Sequence, residues 1–76
     1  MQKMLDEITE AIEAQKNKLL AMGAKVATPF TEEDLMQPFD YPELMRDPEF
    51  LYEEGIFHGQ LELLAILNRH IVSHES

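Results

Sequence analysis

Glu54, His58 and Glu62 recur every four residues, and His70 and His74 repeat that spacing further along the chain. On a helix, residues four apart share a face. Imidazole and carboxylate groups so placed can reach one ion, and bundle proteins set such ligands on facing helices. The stripe is therefore the chain's candidate metal site. Two features weaken it. The Glu-x-x-His spacing of di-iron bundles is absent, and on a helical wheel the stripe falls at the border of the apolar arc or on its polar side. There, a solvated set of i, i+4 pairs that supports the helix accounts for the same pattern. No metal or other cofactor is expected.

Nucleophilic chemistry has less to work with. The chain has no cysteine, and its only serines, Ser73 and Ser76, stand at the C-terminal end. Carboxylates are abundant, but a general acid needs a cleft that raises its pKa, and a pair of helices offers little cleft. The chain is not expected to be an enzyme.

A third pattern points to recognition. Residues 28–54 hold nine acids against Arg46 alone, a net charge of −8 out of −9 for the whole chain. From Phe30 to Tyr52 these acids alternate with Leu35, Met36, Phe39, Tyr41, Leu44, Met45 and Phe50. Aromatic and methionine side chains are enriched in protein interfaces, and a block of one charge steers association. Glu32, Glu33, Asp34, Phe39, Asp40, Tyr41 and Glu43 are accordingly the candidate partner-binding residues, facing another protein with a basic surface. The competing expectation is that this segment only covers the flank of the helices beside it. The reading that follows is a small regulatory or adaptor protein. Its alternatives are an inhibitor that imitates nucleic acid with its carboxylates, and a metal-binding helical bundle. Direct binding of DNA or RNA is not expected, because six bases against 15 acids leave little to neutralise phosphates.

The elements that position these groups are helical. Met1, Leu5, Ile8, Ile12, Gln15, Leu19 and Met22 step by four and three, a seven-residue repeat with one polar member. Gly23 follows as a stop, a place for left-handed backbone. The spacing predicts a helix over about residues 2–22. Asp47-Pro48-Glu49 reads as a second start: a capping carboxylate, a proline at the first helical position and an acid in the first turn. That helix is predicted over about residues 48–73, with an apolar arc of about 200° where a single neighbour needs little more than about 100°. Thr31-Glu32-Glu33-Asp34 looks like the cap of a short helical turn ended by Pro38, and Asp40-Tyr41-Pro42-Glu43 like a second one.

The fold class expected is all-α: two long antiparallel helices joined by an acidic connection, forming one domain over residues 1–76. Two copies are expected to associate into a four-helix bundle. A domain of 76 residues without disulfides has a marginal core, and the wide arc offers a second face. Ile8, Ile12, Gln15, Phe57, Gln60, Leu61, Leu64, Leu67 and Ile71 form the expected dimer core, with Gln15 and Gln60 as candidates for polar pairs that set register. Gly55 and Gly59 share the opposite side and form a candidate close-packing face for the connection or a partner. No apolar run approaches the ~20 residues of a membrane span. The acids Asp6, Glu7 and Glu10 argue against a signal peptide, so a cytoplasmic location is expected.

Overall fold

The structure, a computed structural model, describes residues 2–75, with side chains over 2–71. Met1, Ser76 and the side chains of Val72, Ser73 and His74, which enter the patterns above, lie outside the described residues. Four α-helices follow in order: α1 (Gln2–Ala24), α2 (Glu32–Met36), α3 (Pro42–Met45) and α4 (Pro48–Glu75), with a 3₁₀ turn at Pro38–Asp40. No strand occurs among the described residues. Both long helices extend two residues beyond their expected C-terminal ends.

α4 packs along α1, and the short elements close the end where the two are joined. Its start is built as the sequence indicates. The Asp47 carboxylate accepts from the backbone N–H of Glu49 at 3.0 Å and of Phe50 at 3.4 Å. These bonds satisfy donors that a helix leaves open at its first turn. α2 opens on a reciprocal box: the Asp34 N–H donates to Thr31 Oγ1 at 3.3 Å, and the Thr31 N–H donates to the Asp34 carboxylate at 2.9 Å.

The core is small and lies toward the connection. Ile12, Leu19, Phe30, Leu35, Leu44, Phe50 and Phe57 are buried, with Ile8, Leu20, Met22, Tyr41, Met45 and Leu64 packed around them. Each short element contributes one buried apolar anchor: Leu35 from α2, Pro38 from the 3₁₀ turn and Leu44 from α3. No residue before Ile12 or after Phe57 is buried among the described side chains. The body measures 45 × 20 × 18 Å with a radius of gyration of 14.6 Å, where a compact chain of this length would give about 11 Å.

Gly23 does something other than stop the helix. No glycine has positive φ, and α1 runs through Gly23 to Ala24. The residue is glycine because the Phe30 ring lies against its Cα, where a Cβ would overlap the ring atoms. The chain then turns through Lys25–Pro29, with Ala27 N–H donating to the Gly23 carbonyl at 3.0 Å, Thr28 Oγ1 donating to the Ala24 carbonyl at 2.9 Å, and a cis Thr28–Pro29 peptide. Gly55 is the opposite case, with nothing within 4 Å of an added Cβ. Gly23→Ala is expected to cost about 1–3 kcal/mol by overpacking, although alanine favours the helix by about 1 kcal/mol. Gly55→Ala should stabilise by about 1 kcal/mol for the helix reason alone. Urea denaturation of the two variants should move their midpoints in opposite directions; a shared direction would contradict the packing assigned to Gly23.

Candidate functional site

The acidic connection divides its candidate residues between holding the fold and facing solvent. Asp34 belongs to the first group. Its carboxylate accepts from the Thr31 N–H, which holds its pKa below the ordinary carboxylate value, with hydrogen bonds from the Tyr41 and Thr31 hydroxyls acting in the same direction. The same carboxylate raises the Tyr41 phenol above its usual value, first by accepting the phenol's hydrogen bond, which favours the neutral form, with burial and the nearby negative charge adding to it. Tyr41 is half-buried and meets Phe30 edge-on, with ring centroids 5.4 Å apart. Glu32 is exposed but paired, 3.1 Å from the Lys16 ammonium, which also meets Glu13 at 2.7 Å. Those two carboxylates, Glu13 first, raise the Lys16 pKa.

Glu33, Phe39, Asp40 and Glu43 remain directed to solvent. Phe39 is 66% exposed, on a 3₁₀ turn whose neighbour Pro38 is buried. A large apolar ring is thus held out at a fixed place, since proline limits φ and the core anchors the turn. Met36, 59% exposed, stands three residues earlier at the end of α2. It is not among the candidate partner-binding residues expected from the sequence, though its position beside the inward Leu35 on a short helix places it outward. The resulting surface has two exposed apolar groups with carboxylates on either side of them in the chain. Chemically it can anchor and steer; nothing in it arranges a nucleophile with a base.

A second polar cluster sits between the long helices. Glu53 is buried, at 8% exposure. Gln15 Nε2 donates to its carboxylate and to its backbone carbonyl, both at 2.9 Å, and the Lys18 ammonium lies 2.7 Å from the other carboxylate oxygen. Gln15, expected to pair across a two-fold axis, therefore finds its partner within the chain. The Gln15 amide and then Lys18 lower the Glu53 pKa, and Glu53 in turn raises that of Lys18. A carboxylate with a depressed folded pKa contributes stability above its unfolded value, 4.5 for glutamate, and loses it as pH falls through the folded value. The wild type should therefore lose urea resistance more steeply than Glu53→Gln as the pH falls from about 4.5 toward the depressed folded value. Equal slopes would contradict this role.

The metal stripe does not assemble. Among the described residues no three His, Asp or Glu side chains come together in a way that could hold an ion, so Glu54, His58 and Glu62 remain spread along one helix. Gly55 and Gly59 meet open space, so the connection does not dock on them. Of the expected dimer core, Ile12 and Phe57 are buried inside the single chain, and Ile8 and Leu64 pack on that core. Gln15, Gln60, Leu67 and Ile71 are half-buried, and Leu61 is exposed. The Gln60 Oε1 is buried without a hydrogen-bond donor, an arrangement that costs about 1–3 kcal/mol. No described helix is long and apolar enough to cross a membrane. No family model, curated protein or solved structure matches the chain.

Proposed function

We propose that this protein is a small helical regulatory or adaptor module that acts as a homodimer, a four-helix bundle, and binds another protein through its acidic connection. The observation that carries the reading is Phe39, exposed on an anchored turn among carboxylates. Holding a phenyl ring in water gains nothing for the fold, whereas a rigid aromatic group buried on binding is the usual centre of an interface. The carboxylates around it in the chain, Glu33, Asp40 and Glu43, favour a basic partner surface and speed the encounter. A protein imitating nucleic acid would need carboxylates alone, so Phe39 and Met36 favour a protein partner with an apolar pocket inside a basic rim.

A photoreactive amino acid in place of Phe39 tests this in lysate of the source cells, with Leu51 as the control position. The expected result is a discrete cross-linked product from position 39 that weakens as salt is raised. Products of equal yield from both positions, or from Leu51 alone, would contradict it.

A further inference from the structure

The connection covers only one flank of the helix pair. Lys16 reaches Glu32 of α2, whereas Lys18, on the other side of the Ile12–Leu19 line, reaches Glu53 and lies near Glu49 and Tyr52. On that second flank α4 carries a further seven-residue pattern: Tyr52, Ile56, Gly59, Leu63, Ile66 and His70, stepping by four and three. This seam is separate from Phe50, Glu53, Phe57, Gln60, Leu64, Leu67 and Ile71, which step by three and four on the side toward α1. It contains no Asp, Glu, Lys or Arg. Tyr52 is 69% exposed, Leu63 49% and, at the far end of α1, Met4 43%.

We propose that a second copy of this chain occupies this flank, its α4 antiparallel to the first about a two-fold axis beside Gly59 and Gln60. The inference rests on the dimer reading above and names the face that serves it. Three observations choose the occupant and its direction. First, the accessible surface is 5477 Å², where a compact monomer of this size exposes about 4,800 Å². The excess of about 700 Å² is close to the ~800 Å² that each partner gives to a stable interface. Second, residues 28–54 carry −8 at one end of a body 45 Å long. A parallel pair would set two such blocks side by side, while an antiparallel pair separates them well beyond the screening length of about 8 Å. Third, the antiparallel register sets Ile56 against Leu63, Glu49 against His70, and Gln60 beside the open Gly59.

Light scattering over micromolar to submillimolar concentrations should report twice the chain mass for the wild type. Ile56→Glu with Leu63→Glu should remain helical by circular dichroism and dissociate at least 100-fold more readily, while Leu61→Glu, on the opposite flank, should remain dimeric. The chain has no cysteine, so Gly59→Cys introduces a sole thiol at the axis. A short bis-maleimide should link it between copies, and Leu61→Cys should not be linked. A monomeric wild type would overturn both the dimer reading and this face. A wild-type dimer kept by the double variant, or one whose Gly59→Cys thiols are not linked, would overturn the face alone. Should the double variant unfold, the two cysteine variants decide between the flanks.

Discussion

Phe50→Ala is expected to remove a quarter of the stability of the fold or more. Phe50 is fully buried, one turn into α4, beneath the point where the connection folds back. Removing a buried phenylalanine side chain costs about 3–5 kcal/mol through lost burial and the cavity that remains. A chain of this length has only about 4–11 kcal/mol in total. The core cannot spread the loss, since among the described residues Leu19 and Leu44 are the only other large side chains that are as fully buried. Far-ultraviolet circular dichroism in urea should show the midpoint falling by a quarter or more. Leu61→Ala, at an exposed position on the same helix, should cost no more than about 1 kcal/mol. A similar small change for both would contradict the placement of the core.

Phe39→Ala should do the reverse, leaving the fold intact and removing affinity. Its ring is exposed, so the loss of stability should stay within about 0.5 kcal/mol. At the centre of an interface the same truncation costs 2 kcal/mol or more, roughly a 30-fold loss of affinity expressed as faster dissociation. The carboxylates act on the other rate. Reversing Glu33, Asp40 and Glu43 to lysine should slow association and flatten its salt dependence, because long-range attraction is lost while the anchor remains. Asp34 is left out of that set because it caps α2, and Glu32 because it pairs with Lys16. Surface plasmon resonance with the captured partner separates the two rates. A drop in melting temperature for Phe39→Ala with unchanged dissociation would make the ring a structural seal.

What could be read from the sequence was local. Asp47-Pro48 and Thr31 to Asp34 announce their helix starts because a cap and its amides lie within three residues of each other. Gly23 looked like a stop because glycine after an apolar repeat has that meaning by default; its real constraint, the Phe30 ring, depends on how the next turn folds back. Glu53 is the clearest case of long-range control. Its partners Gln15 and Lys18 lie 38 and 35 residues away, and no spacing rule connects them. The 200° arc of α4 was visible, but a wheel does not say which part of an arc meets the same chain. The expected dimer core therefore mixed residues packed on α1, such as Phe57, with Leu61 on another face. In the connection, charge and aromatic content marked the segment. Only the folded geometry separates Tyr41, which supports Phe30, from Phe39, which supports nothing.

Backbone hydrogen exchange of the chain, free and with its partner bound, needs no substitution and reports on every segment at once. Slowed exchange on binding is expected over residues 32–43, with α4 from Tyr52 to Ile71 unchanged because the proposed second copy already covers its open flank. Protection confined to residues 52–71, with the Phe39 turn exchanging as fast as in the free chain, would contradict it.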